Sequence, residues 1–237
     1  MLLAGILLMA KPALADSYYP YEIQGYDVTV KVGKDNVYHV TERLQVNFNQ
    51  ARHGIYRDIP VINNVSREDG STSRIQARVT NIKTYGEKRT VGREGSYCRI
   101  QLGDKNKTLV GEHMYHISYD YNMGKDVRKG EDEFYYNIIG TSWDTTIQNV
   151  TFHIMMPEDI DESKVGMAYG ESGSTNNEGL QYTINGKVME GYVDPSIILN
   201  PGEAVTVRMV LPDGYYDQVK QRIWPALISI LLSLAAA

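Results

Sequence analysis

The sequence predicts an all-β fold, an antiparallel β-sandwich, placed between two apolar ends. Apolar and polar residues alternate along many short segments, which is the pattern of strands with one buried face. Clusters of glycine, asparagine and proline separate these segments, as turns between strands require. No long segment between residues 17 and 212 has the period of a helix. With 237 residues, of which 42% are hydrophobic and 22% charged, the chain is long enough and apolar enough to fold around a sizeable core.

The alternating segments predict the strands in chain order. Their apolar faces, taken at every second residue, run over 26–32, 38–48, 113–121, 148–156, 180–184 and 205–211. The turn at residues 33–36 predicts a hairpin between the first two strands. Asn185-Gly186 is a strong signal for a second hairpin. The polar segments 62–73, 122–132 and 170–179 are expected to be surface loops.

The N-terminal end predicts export from the cytoplasm. Residues 1–10 are almost wholly apolar, and Ala13-Leu14-Ala15 follows them before Asp16, so residues 1–15 resemble a secretory signal peptide. The basic residue that normally precedes the apolar run is missing, since Lys11 comes after it. The run is also too short to span a bilayer, which takes about 20 apolar residues.

The C-terminal end predicts a membrane anchor. Residues 223–237 carry no charged side chain, and we expect them to be the first part of a transmembrane helix that continues beyond residue 237. Trp224, with Tyr215 and Tyr216 before it, is typical of a membrane interface. The alternative is an apolar tail packed against the domain. We therefore expect an extracytoplasmic domain at residues 17–213, followed by a juxtamembrane linker at 214–222.

Composition limits the partners. The formal net charge is −5 and no basic run is present, which argues against a nucleic-acid partner. Cys98 is the single cysteine, so no disulfide can form within the chain. The 18 tyrosines, against 3 phenylalanines, suit half-buried sheet faces, and a sugar-binding or protein-binding face is the alternative.

The stretch HGIYRDIP, residues 53–60, is the densest cluster of polar and special residues. Glu42 falls in the apolar phase of its strand, where a charge is costly unless it is paired. A strand returning after the turn at 53–54 would bring Arg57 to that carboxylate, and the guanidinium fork suits it. We expect Asp58 to face outward or cap a turn and Pro60 to stop strand pairing. The predicted structural motif comprises Glu42, His53, Gly54, Tyr56, Arg57, Asp58 and Pro60.

Catalytic residues, metal ligands and cofactors are not predicted. His113 and His116 are three apart on a strand, so they point to opposite faces and make poor metal ligands together. The acidic stretches 131–133 and 158–162 match no calcium loop and are interpreted as solvated turns. Neither a Gly-x-Ser-x-Gly motif nor a phosphate-binding glycine loop occurs. Paired glycosidase carboxylates stay open, because they meet only in space.

Three aromatic residues are the candidate binding residues: Trp143, Tyr135 and Tyr136. Trp143 follows Gly140-Thr141-Ser142 and precedes Asp144, at the boundary of a strand. An exposed tryptophan there could stack on a sugar. The favoured interpretation is a tryptophan that plugs the end of the sandwich.

The sequence resembles the YciQ-like family of bacterial predicted membrane proteins, whose domain has no known function. The most specific match is residues 53–60. The other matching stretches are 26–28, 40–42, Phe48, 115–119, 132–137, Gly140, Trp143, Pro157, 199–203, 211–212 and 214–215. The resemblance covers about residues 20–216. It implies an N-terminal signal, an extracytoplasmic β domain and membrane helices after it, and it assigns no activity to any residue.

Two classes of function stay open. The first is a membrane-anchored binding or scaffolding module of the bacterial cell envelope, on the extracytoplasmic side, whose partner is an envelope protein or a glycan. The second is a cell-envelope hydrolase or carbohydrate-active protein. Converging carboxylates in a pocket would favour the second, and flat sheet faces lined by tyrosine would favour the first.

Overall fold

The computed structural model describes residues 19–66, 70, 72–126 and 130–220. They form fifteen strands and one short 3-10 turn, Glu162–Lys164. The strands are β1 Tyr21–Val32, β2 Val37–Arg52, β3 Ile55–Pro60, β4 Ile62–Ser66, β5 Thr72–Gln76, β6 Arg78–Thr84, β7 Arg89–Glu94, β8 Tyr97–Leu102, β9 Leu109–Asn122, β10 Glu131–Ile139, β11 Val150–Met155, β12 Val165–Gly170, β13 Leu180–Asn185, β14 Val188–Val193 and β15 Ala204–Pro212. The predicted all-β class is therefore confirmed for this part of the chain.

The largest sheet has seven strands in the order β13-β14-β11-β1-β2-β9-β6. Its centre is the predicted hairpin of β1 and β2, in which Val30 lies opposite Val40 and Tyr26 opposite Leu44. The turn at 33–36 closes this hairpin through a hydrogen bond from the Gly33 amide to the Val37 carbonyl. Alternation places one face of each strand in the core, because successive side chains point to opposite faces.

Two three-stranded sheets cover the buried face of the large sheet. Their orders are β3-β8-β7 and β10-β15-β12, and a separate hairpin pairs β4 with β5. Rings from the two layers meet in the core, where the Tyr38 ring on β2 lies 5.1 Å from that of Phe134 on β10. The strands thus form two packed layers, in which β3 and β10 both face the central strands of the large sheet.

One pair among the described strands departs from the predicted antiparallel arrangement. All pairs of strands are antiparallel except β1 and β11, which run parallel from Tyr26 opposite Val150 to Lys31 opposite Met155. Between β10 and β11 the chain passes from a three-stranded sheet to the large sheet, where β11 lies beside β1 and runs in the same direction. The expectation of a loop at 62–73 is also wrong, since β4 and β5 pair across Ile62 and Gln76.

The described part of the predicted linker, residues 214–220, packs against the domain. Tyr215 and Tyr216 are 5% and 7% exposed and belong to the core cluster. The Tyr216 amide donates to the Asp132 carboxylate at 3.0 Å, and the Gln218 amide donates to the Lys34 carbonyl. The two tyrosines therefore serve the core rather than a membrane interface. The predicted signal peptide at 1–15 and transmembrane segment at 223–237 lie outside the described residues.

Candidate functional site

A buried ion pair joins the two layers at their centre. Glu42 on β2 is 0% exposed and Arg57 on β3 is 2% exposed. The Arg57 Nε donates to Glu42 Oε2 at 2.9 Å, and its Nη2 donates to Oε1 at 2.8 Å. The pair predicted from the sequence is therefore present, in the two-point geometry that a guanidinium and a carboxylate prefer.

Two tyrosine hydroxyls complete the shell of the carboxylate. Tyr26 on β1 donates to Glu42 Oε2 at 2.9 Å, and Tyr119 on β9 donates to Oε1 at 2.7 Å. Tyr136 on β10 lies 3.0 Å from the Tyr119 hydroxyl, so the network also reaches the second small sheet. Every oxygen of this buried carboxylate has partners, as a charge away from water requires.

The network fixes the ionisation of its members. Burial alone would raise the pKa of Glu42, but the charge of Arg57 and the hydrogen bonds from Arg57, Tyr119 and Tyr26 outweigh it, so the pKa is lowered. Burial raises the pKa of Tyr26 and of Tyr119 well above the ordinary value, and the Glu42 charge adds to the rise. Glu42 therefore stays ionised and both hydroxyls stay protonated as donors.

On its other side, the Arg57 guanidinium contacts a backbone carbonyl and the ring of Trp143. The Arg57 Nη1 donates to the Asp58 carbonyl at 2.7 Å, and its Cζ lies 5.7 Å from the Trp143 ring, within range of a cation–π contact. The Trp143 ring meets that of Tyr26 edge-on at 5.7 Å and the residue is 4% exposed. Trp143 thus occupies the core and presents no face on which a sugar could stack.

Tyr135 and Tyr136 lie beside a narrow cleft between the two small sheets. Tyr136 is 6% exposed and Tyr135 is half-buried. The cleft reaches Arg57 and has a volume of about 30 Å³, room for a water molecule or two. Its wall also includes Asn63 and Asn137. Tyr135 and Tyr136 therefore both line this cleft, which is too small for a sugar ring, whereas Trp143 lies in the core and not in its wall.

Asp58 lies on the other face of β3 and has a partner that the sequence analysis missed. It accepts two hydrogen bonds from Arg99 on β8, at 2.8 and 2.7 Å. Asp58 does not cap a turn: it lies within β3 on the face away from the core, directly opposite Arg99 in the ladder. The Arg99 guanidinium also lies 5.0 Å from the ring of Tyr56, which is 50% exposed.

The remaining motif residues shape the backbone at both ends of β3. A Cβ on Gly54 would lie 1.8 Å from the Leu102 carbonyl oxygen, and its φ of +133° also favours glycine. His53 is exposed, and its Nδ1 lies 2.8 Å from the Lys107 carbonyl oxygen. Pro60 ends β3 as predicted, and its carbonyl accepts from the Tyr121 hydroxyl at 2.7 Å. Residues 53–60 therefore comprise a turn at Gly54, where the backbone passes close to that of Leu102, and strand β3, whose side chains contact both layers.

The acidic stretch at 131–133 is not the solvated turn that the sequence predicted. Asp132 and Glu133 are 8% and 6% exposed and lie within β10. Arg208 on β15 donates to Glu133 at 2.6 Å, which forms a second ion pair with one buried partner. Among the described residues, no group of three or more His, Cys, Asp and Glu side chains is placed to hold a metal ion.

Comparisons with known proteins give a family and distant structural likenesses. The family model described as "Predicted membrane protein (DUF2207) N-terminal domain" matches residues 22–211. No curated protein matches the sequence.

Two similar solved structures are enzymes far from this chain in sequence. The M1 zinc metallopeptidase from Deinococcus radiodurans is 11% identical at a TM-score of 0.40, over 79% of this chain and 42% of its own. Native leukotriene A4 hydrolase from Saccharomyces cerevisiae is 6% identical at a TM-score of 0.44, over 84% of this chain and 32% of its own. The chain thus spans less than half the length of either protein.

Proposed function

Because the chain belongs to the family of predicted membrane proteins that share this N-terminal domain, we propose that it is a membrane-anchored binding or scaffolding module. The β domain lies on the extracytoplasmic side, in the envelope of a bacterial cell. Its partner is an envelope protein or a glycan. The closer likeness to YciQ-like proteins is part of the same proposal.

The apolar ends supply the membrane part of the proposal. Residues 1–15 would direct export and residues 223–237 would begin the anchoring helix. Within the part of the chain that the structure describes, no helix is long and apolar enough to cross a membrane.

The single observation that supports a non-catalytic role is that the two central charged residues, Glu42 and Arg57, are buried and bonded within the domain. Glu42 and Arg57 are withdrawn from water and bonded to each other, to two tyrosines and to a backbone carbonyl. A general acid or a nucleophile needs access to a substrate and a proton that can move. This network instead ties three sheets together, so the domain offers its surfaces, rather than a reactive group, to its surroundings.

Side-specific labelling tests the location. In a Cys98→Ser background, a cysteine at the exposed position Tyr56 or Tyr85 would be treated with a maleimide that cannot cross membranes. We expect labelling in spheroplasts and none in sealed inverted vesicles. Labelling only in the inverted vesicles would place the domain in the cytoplasm and contradict the proposal.

Photo-crosslinking in cells tests the binding role. A benzophenone amino acid would replace Tyr56, Tyr85 or Tyr192, which are 50%, 55% and 40% exposed, and the matched control is the buried position Tyr215 at 5%. A binding module should give discrete adducts at one or more of the exposed positions and none at the control. Absence of adducts at all three exposed positions would argue against it.

A further inference from the structure

The outer edge of β7 is an open strand edge. All six residues from Arg89 to Glu94 are exposed. The Lys88 carbonyl accepts from the Gly103 amide, so even-numbered residues along this segment bond β8. In an antiparallel ladder, residues alternate between bonding one side and the other. The amides and carbonyls of Arg89, Val91 and Arg93 therefore point away from β8, and no described residue bonds to them.

The opposite edge of the same sheet, β3, is closed at Asp58 and Pro60. On β3 the backbone amides and carbonyls of the even-numbered residues point away from β8. The Asp58 carbonyl accepts from Ser142 and Arg57, and the Pro60 carbonyl accepts from Tyr121. Pro60 has no amide hydrogen to offer. One edge of this sheet is therefore blocked by side chains and proline, the usual protection of a strand edge, while the other keeps its backbone groups accessible.

The side chains on the open edge define which strand would fit it. Arg89 and Arg93 flank Val91 on one face, and Val91 is 44% exposed. Neither guanidinium makes an ion pair within the described part of the chain. On the other face Gly92 leaves open space, since no atom lies within 4 Å of a Cβ built on it. An added strand would meet positive, apolar and positive side chains in turn.

We propose that β7 binds an acidic segment in extended conformation, which adds to the sheet as a fourth strand. Acidic side chains lie opposite Arg89 and Arg93, four residues apart, and an apolar side chain lies opposite Val91. The backbone bonds supply affinity and the alternate side chains supply selectivity. This inference rests on the proposed binding role and names the surface and the class of partner.

A second copy of the chain fits this edge less well. Antiparallel pairing of two β7 strands about Val91 would place Arg89 of each copy opposite Arg93 of the other. Like charges directly opposite each other destabilise a strand pair. A partner with carboxylates at these positions is favoured instead.

The test uses the full chain in a mild detergent and a fluorescein-labelled peptide with the core Glu-Thr-Val-Thr-Glu. Fluorescence anisotropy should show the acidic peptide binding at least about tenfold more tightly than a Lys-Thr-Val-Thr-Lys peptide. Methylation of the backbone nitrogens of both glutamates and the valine should weaken binding by a similar factor. Equal binding of the methylated peptide would overturn strand addition and leave only charge attraction.

Val91→Pro is the sharpest variant, because the amide that it removes points outward and the bonds to β8 stay intact. It should lose peptide binding at least about tenfold while thermal unfolding stays close to that of the wild type. Val91→Ala, which keeps the amide, should bind nearly as well as the wild type. Equal binding by Val91→Pro, or a dimer of the free chain that Val91→Pro dissolves, would overturn the proposal. Because binding is measured in vitro, its loss leaves the labelling result for the location untouched.

Discussion

At the scale of single residues, the molecule depends on a charge placed where hydrophobic side chains are expected. Glu42 lies between Val28 and Ile117 in the ladder of the large sheet. A carboxylate at this position is tolerated because Arg57 and two tyrosines satisfy both oxygens. Removing one partner leaves the other charged and buried, which is far more costly than the net contribution of the pair.

Glu42→Ala and Arg57→Ala should each lower the free energy of unfolding by about 3–5 kcal/mol. The double variant should lose clearly less than the sum, because neither charge is then left alone. Urea titration of all four proteins measures this coupling. As a matched control, Asp58→Ala and Arg99→Ala should each cost only about 1 kcal/mol, since the Arg99 side chain is 37% exposed. Additive losses at Glu42 and Arg57 would show that they do not stabilise each other.

The lowered pKa of Glu42 predicts a specific dependence of stability on pH. Its folded-state pKa lies below the unfolded value of about 4.3, so its contribution is complete above that pH and is lost as the pH falls through the folded pKa. Between pH 6 and pH 3, the unfolding free energy of the wild type should therefore decline more than that of Glu42→Gln. Parallel decline in both proteins would mean that Glu42 does not titrate with unfolding.

At the scale of elements, the strands follow from local patterns and their partners do not. Period-two alternation and the turns at 33–36 and 185–186 predicted both hairpins and the buried face of β1. The Glu42–Arg57 pair could be predicted because a misplaced charge needs an opposite one. Arg99 was missed as the partner of Asp58, since they are 41 residues apart and only the β3–β8 register joins them. The parallel β1–β11 pair joins strands far apart in the chain, so no local pattern indicates it.

At Gly54, just before β3, the backbone passes so close to Leu102 at the end of β8 that only a glycine fits. Gly54→Ala should lower the unfolding free energy by at least about 2 kcal/mol, since strained backbone alone costs about 1–3 kcal/mol. The added methyl group would also collide with the Leu102 carbonyl. Gly92→Ala is the control, because its Cβ would meet open space, and it should change stability by less than about 0.5 kcal/mol. Thermal unfolding of the two variants measures the difference, and equal effects would show that this position does not need a glycine.

At the scale of the whole molecule, the domain extends further towards the C-terminus than the sequence indicated. The prediction ended the domain at residue 213 because the period-two pattern stops there. The structure continues the core through Tyr215 and Tyr216, and Val219 packs against it as well. Two aromatic residues beside an apolar segment have the same local pattern in a core and at a membrane interface. Only their contacts with β10 and the β1–β2 turn separate the two cases.

Truncation tests where the domain ends. A chain that ends at Lys220 keeps both tyrosines, their contacts and Val219, and it should unfold close to the temperature of the full chain. A chain that ends at Asp213 loses two rings that are 5% and 7% exposed, so it should unfold at least about 5 °C lower. Differential scanning calorimetry of both proteins measures this. If 214–220 were a free linker, the two truncated chains would unfold together, and the domain would then be free to swing relative to its anchor. If they differ as expected, residues 214–220 are part of the folded domain. The flexible connection to the predicted membrane helix at residue 223 is then at most a few residues long.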